Sequence, residues 1–187
     1  MPPPVRTPRD AWVDAGLGLL AADGPDAVRV EVLAQRLGVT RGGFYRQFGG
    51  RSELIEAMLD TWEQRSIDDA RARVEAEGGD ARSKVARAGA LTFSPELLPL
   101  DLAVRDWARR DREVARRLRQ VDNRRMDYLR ELLSAIVDDP AQVEARAMLA
   151  FSLVIGDHLI AADHPGSTRG RVIRDATRLL LGEITPV

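Results

Sequence analysis

The residues best equipped for chemistry fall in one stretch, GVTRGGFYRQFGGRSEL, Gly38 to Leu54. From Val32 to Ser52 the chain carries four arginines, at 36, 41, 46 and 51, and no acid. That local excess is hidden in the totals, because residues 1–60 hold seven Arg against eight acids and the net charge of the chain is −1. Guanidinium groups without carboxylates, set among a threonine hydroxyl and a phenol, suit phosphate oxygens. Gly42-Gly43 stands where a short helix is needed, and each glycine there costs about 1 kcal/mol relative to alanine. The pair therefore points to a backbone that must lie close to something. The alternative is a surface turn with solvated arginines.

Other chemistries have less behind them. The chain has no cysteine, so disulfides and thiolate metal sites are excluded. Its two histidines, His158 and His164, have no His, Cys or acid partners at metal-ligand or catalytic spacing. Neither common phosphate-binding glycine loop is present. No metal, no cofactor and no enzymatic activity are expected. A second arginine-rich run, Arg105 to Arg130, alternates its charges with an apolar stripe. Asp106/Arg110 and Glu113/Arg117 have i,i+4 spacing there, which predicts a solvated, ion-paired face.

The elements that must hold the stretch all read as helix, with no period-two strand pattern. Thr7 caps a first helix, with Pro8 at its first position, and that helix stops at Gly24-Pro25. A second runs from Val30 to Leu37 and ends at Gly38. A third starts after Thr40, its N-cap, and is expected to reach about Phe48. After Gly49-Gly50, Ser52 caps a long helix that ends at Gly78-Gly79. Further helices are expected over 80–90, from near Leu100, through Val114 to Ile136, from Pro140 to Ala162, and from Arg171 to Gly182. That makes an all-α chain of about nine helices, with the first ten residues partly disordered.

A helix, a glycine turn and a second short helix have the geometry of a helix-turn-helix, whose second helix enters the DNA major groove. At this level LAQRLGVTRGGFYRQFGGRSELIEAML resembles the DNA-binding segment of the TetR family of transcriptional regulators. The likeness spans about residues 8–62 and lies in Gly-Val-Thr, the small residues after it, Phe-Tyr, Phe48, Arg51 and Leu54. It implies an N-terminal three-helix DNA-binding domain over residues 1–51. A regulatory domain for ligand binding and dimerisation would occupy 52–187, entered through a connecting helix at 52–77. The implied DNA contacts are Arg29, Thr40, Arg41, Gly42, Gly43, Tyr45, Gln47 and Arg51. Gln47 stands where the family often has His, and Arg29 where it tends to have Ser or Thr. Phe44 and Phe48 would fix the short helix from behind.

The resemblance further implies a repressor that binds a palindromic operator in double-stranded DNA as a homodimer and is released by an unidentified small-molecule effector. Trp62, Phe93, Trp107, Met126, Tyr128 and Phe151 supply core bulk in the C-terminal body. Trp107, Phe151 and His158 are the candidate ligand contacts there. EARAMLAFSLVIGDHLIAA and Leu179 to Leu181 are the expected dimer seam. A helical small-molecule-binding or scaffold protein without specific DNA binding is the competing class. With no apolar leader in MPPPVRTPRD and no apolar run of about 20 residues, the chain is expected to be cytoplasmic and without a membrane partner.

Overall fold

In the computed structural model, which describes residues 7–92 and 94–182, all regular structure among those residues is helical. The expected long helix 52–77 is helical from Arg51 to Glu77 in three pieces: α4 (Arg51–Gln64), a π-helical turn (Arg65–Asp69) and α5 (Ala70–Glu77). Counted as one, it makes nine α-helices among the described residues, as expected from the sequence. Phe93 and residues 1–6 lie outside the described residues, whereas Arg9 and Asp10 already belong to α1 (Arg9–Asp23).

The helices pack into two compact units. One takes the described residues up to Asp69 together with Ser94–Val121, and the other takes those of 70–92 and from Asp122 onward. These packing units do not divide at residue 51. α4, α7 (Leu98–Ala108) and the first half of α8 (Arg112–Ser134) pack with the N-terminal helices.

In the first unit α1 lies against α4 and α7, burying Trp12, Val13, Leu17 and Leu20 with Leu54, Met58, Trp62 and Val104. At the α1–α4 approach a Cβ on Gly16 would stand 2.6 Å from the Met58 sulfur, so the buried Met58 side chain would have to shift. Three acids of α4 gather on one base: Arg117 of α8 pairs with Glu56, Asp60 and Glu63. The expected Glu113/Arg117 pair is replaced by Glu113 with Arg116, while Asp106/Arg110 forms as expected at 2.6 Å.

In the second unit α6 (Ala81–Thr92), the rest of α8, α9 (Pro140–Leu159) and α10 (Arg169–Leu180) enclose Val85, Leu129, Leu133, Val143, Ala147 and Leu181. Arg130 ties α8 to α9 through Glu144 at 2.6 Å. Asp139 caps α9 by accepting from the Ala141 N–H, ahead of Pro140.

Two helix starts differ from expectation, and neither has a side-chain cap. Pro8, one residue beyond Thr7, is the N-cap of α1. Gly50 rather than Ser52 precedes α4, and no side chain caps it.

Candidate nucleic-acid interface

The turn into the short helix is built as the sequence requires. α2 (Val30–Leu37) closes on Gly38, whose φ of 67° and ψ of 30° lie in the left-handed region. Its N–H reaches the Ala34 and Gln35 carbonyls, and the Val39 N–H reaches Ala34 at 2.9 Å. This double closure satisfies carbonyls that a helix end otherwise leaves bare. Thr40 then runs extended and precedes α3 (Arg41–Phe44), but its hydroxyl makes no capping bond.

α3 is shorter than expected. Only one turn is α-helical, the Tyr45 N–H stretches to 3.4 Å from the Arg41 carbonyl, and Tyr45 to Gln47 form a turn. The two glycines lower helix propensity where the helix has fewest bonds to hold it.

The Gln47 and Phe48 N–H groups close this turn on the Phe44 carbonyl at 2.8 and 3.0 Å, and aromatic packing holds it from behind. Phe44 is fully buried, edge-on to Trp12 at 5.4 Å and stacked on Phe48 at 5.2 Å. The Arg9 guanidinium lies over the Phe48 ring, 4.4 Å from its centre, and pairs with Glu53 at 2.9 Å. Glu53 Oε2 in turn accepts from the Gly49 N–H at 2.7 Å. That backbone donor first, and Arg9 second, hold the Glu53 carboxyl below the usual carboxylate range. Arg9 and Glu53 were not evident from the sequence, since they lie 44 residues apart with no spacing to mark them.

The opposite side of the turn is open. Thr40, Arg41, Gly42, Tyr45 and Arg46 are exposed. Tyr45 is 62% exposed, yet its ring is steadied edge-on against Phe44 at 5.2 Å. Arg41 pairs with Glu31 at 3.2 Å across exposed surface, a contact that solvent keeps weak. The Glu31 carboxyl is held low by its own backbone N–H first and by Arg41 next.

Neither glycine of α3 is demanded by the fold itself. A Cβ on Gly42 would lie 3.7 Å from the Thr40 hydroxyl, and one on Gly43 would lie 3.6 Å from Trp12, both ordinary contacts.

Three further residues predicted to meet DNA are placed differently from one another. Arg29 is exposed at the start of α2 and makes no capping bond. Gln47 is half-buried, and its Nε2 donates to the Thr7 carbonyl at 3.1 Å. Arg51 donates from Nε to the Val28 carbonyl and from Nη2 to the Pro25 carbonyl, each at 2.7 Å. It thereby closes the 3-10 turn Pro25–Ala27 against the start of α4.

Trp107 leans on the core of the first unit, Phe151 on the core of the second, and His158 is exposed on α9. Among the described residues no group of three or more His, Cys, Asp or Glu is arranged to hold a metal ion. No helix among them is long and apolar enough to cross a membrane.

Comparison with known proteins agrees with this geometry. Residues 13–58 match the family model "Bacterial regulatory proteins, tetR family". A TetR-family transcriptional regulator from Streptomyces coelicolor has the same fold, with a TM-score of 0.76, 17% identity, and 95% of this chain and 96% of that one covered. A transcriptional regulator from Rhodococcus sp. Rha1 aligns with a TM-score of 0.70 and 21% identity over 96% of this chain and 100% of its own. A proposed transcriptional regulator from Saccharomonospora viridis, solved in complex with choline, aligns with a TM-score of 0.71 and 16% identity, covering 92% and 94%. No curated protein matches the chain in sequence. Residues 13–58 thus belong to the tetR family of bacterial regulatory proteins, and the chain around them has the fold of TetR-family transcriptional regulators.

Proposed function

We propose that the protein represses transcription by binding a palindromic operator as a homodimer, and that a small-molecule effector releases it. One observation carries the DNA-binding part. The turn at Thr40 to Arg46 is packed on aromatic residues on one side and left open on the other, with two glycines that the free fold does not require. A surface that must approach DNA closely accounts for both features. Thr40, Arg41 and Tyr45 would bond phosphate or base edges, Gly42 and Gly43 would allow approach to the groove floor, and Arg29 would reach a flanking phosphate.

Gln47 and Arg51 enter this proposal chiefly as positioning residues. Gln47 holds the start of α1 against the turn, and Arg51 holds the 3-10 turn, before either meets DNA. Residues 1–51 would thus act as the reading domain and 52–187 as the regulatory one.

The dimer would form on the second unit. Met148, Leu149, Leu159 and Ile160 of α9 and its C-terminal edge, with Leu179 of α10, leave large apolar side chains between 47% and 67% exposed. Such exposure on neighbouring elements marks an interaction face. Two copies related by a two-fold axis would set recognition turns about 34–36 Å apart, matching successive major grooves. An effector that favours a different spacing would weaken operator binding by population shift. The choline bound by one structural neighbour is consistent with a ligand site in this fold. Trp107, Phe151 and His158 remain the proposed contacts for the effector of this chain. Selecting bound fragments from random DNA tests the proposal: it expects an inverted repeat, and recovery of no consensus would refute it.

A further inference from the structure

The first unit contains a groove of about 560 Å³ that the proposed regulatory cycle does not use. It runs between the end of α1, the 3-10 turn after it, and α7. Ala21, Leu102 and Ala103 line it with apolar surface, above the fully buried Leu20. Its volume is that of ordinary small-molecule sites, which run to roughly 300–1,000 Å³.

The rim carries three carboxylates and one guanidinium. Asp106 and Arg110 satisfy each other at 2.6 Å. Asp23 and Asp26 also line the groove, are exposed, and have no ion pair among the described residues. The C-terminal end of α1 faces the same groove and adds the negative end of a helix dipole. An apolar floor under two uncompensated carboxylates and a helix C-terminus complements an organic cation with an apolar body.

We propose that this groove is a binding site for small hydrophobic organic cations, with Asp23 and Asp26 facing the charge and the surface of Ala21, Leu102 and Ala103 taking the apolar part. It is separate from the effector contacts proposed above, none of which lines it. Anions and neutral molecules of the same shape are disfavoured by the rim.

Calorimetric titration of the full chain with benzyltrimethylammonium tests the site, with tert-butylbenzene and benzenesulfonate as the neutral and anionic probes. Saturable binding of one cation per chain is expected, about tenfold weaker in the Asp23→Asn/Asp26→Asn variant, since each exposed charge pair contributes modestly. Leu102→Trp, which fills the groove, should abolish binding. Because that substitution risks the fold, the double Asn variant is the deciding arm. Equal affinity for the neutral probe, unchanged affinity in the double Asn variant, or no saturation with the cation would each overturn the proposal. DNA retention by these variants is measured separately, so failure here leaves operator binding standing.

Discussion

Gln47 Nε2 and the Thr7 carbonyl oxygen lie 3.1 Å apart, joining the recognition turn to the start of α1 across 40 residues. The bond fixes the turn from its protein side, so under the proposed function Gln47 would act through the placement of its neighbours. Gln47→Ala should lower unfolding free energy by about 1 kcal/mol, read by urea denaturation. The base consensus selected by the variant should match that of the wild type. A changed consensus with unchanged stability would make Gln47 a base reader instead.

Arg51 and Arg41 should separate stability from DNA contact. Arg51 bonds two carbonyls of its own chain, whereas Arg41 meets only the exposed Glu31 among the described residues. Arg51→Ala should cost about 1–2 kcal/mol of stability and weaken DNA binding with it. Arg41→Ala should leave the denaturation curve unchanged and still weaken binding. Equal stability losses in both variants would contradict this division.

Gly42→Ala and Gly43→Ala test why the glycines are there. Each new Cβ fits the free protein at ordinary contact distance, and alanine favours helix by about 1 kcal/mol. Thermal stability should therefore hold or rise. Operator affinity should fall at least about tenfold, equivalent to 1.4 kcal/mol of lost close contact. Full affinity in both variants would mean that the glycines serve the turn alone.

Acid should loosen the segment through Glu53. Its folded-state pKa is depressed by the Gly49 N–H and Arg9, so its contribution is present above the ordinary value of 4.5 and lost as pH falls through the folded value. Glu53→Gln should be less stable than wild type at pH 7, and the gap should close as pH falls through the depressed folded-state value. A gap independent of pH would assign the effect to something other than the charge.

The dimer face makes a direct claim. Charging it with Met148→Glu and Leu159→Glu should give a monomer by sedimentation well above micromolar concentration, with helicity intact. The same variant should lose cooperative operator binding while each half still binds weakly and in a salt-dependent way. A wild-type chain that is itself monomeric under those conditions would remove the homodimer from the account.

Local signals in the sequence proved the most legible. Gly38 before Val39-Thr40 identified the turn, apolar spacing identified nearly every helix, and the family resemblance implied Phe44 and Phe48 as core, where both are buried. What the sequence did not display was competition between distant groups. Ser52 was expected to cap α4, but Glu53 reaches back to Gly49 and Gly50 precedes the helix uncapped. Gln47 and Arg51 looked available because their carbonyl partners, at 7, 25 and 28, are brought close only by folding. The third helix was expected to reach Phe48, but its regular part stops at Phe44, and the chain on to Phe48 is closed by bonds from the Gln47 and Phe48 N–H groups to the Phe44 carbonyl and by ring stacking.

The central claim, that the open face of Thr40 to Arg46 meets DNA phosphates, is tested most directly by the salt dependence of binding. Affinity for a selected fragment is measured across salt concentrations for wild type, Arg41→Ala and Tyr45→Phe. The logarithm of affinity should fall linearly with the logarithm of salt for wild type. Arg41→Ala should bind more weakly with a slope smaller by about one, because one phosphate contact is gone. Tyr45→Phe should bind more weakly at an unchanged slope, since a neutral hydroxyl releases no counterion. Identical affinities and slopes for all three proteins would contradict the account.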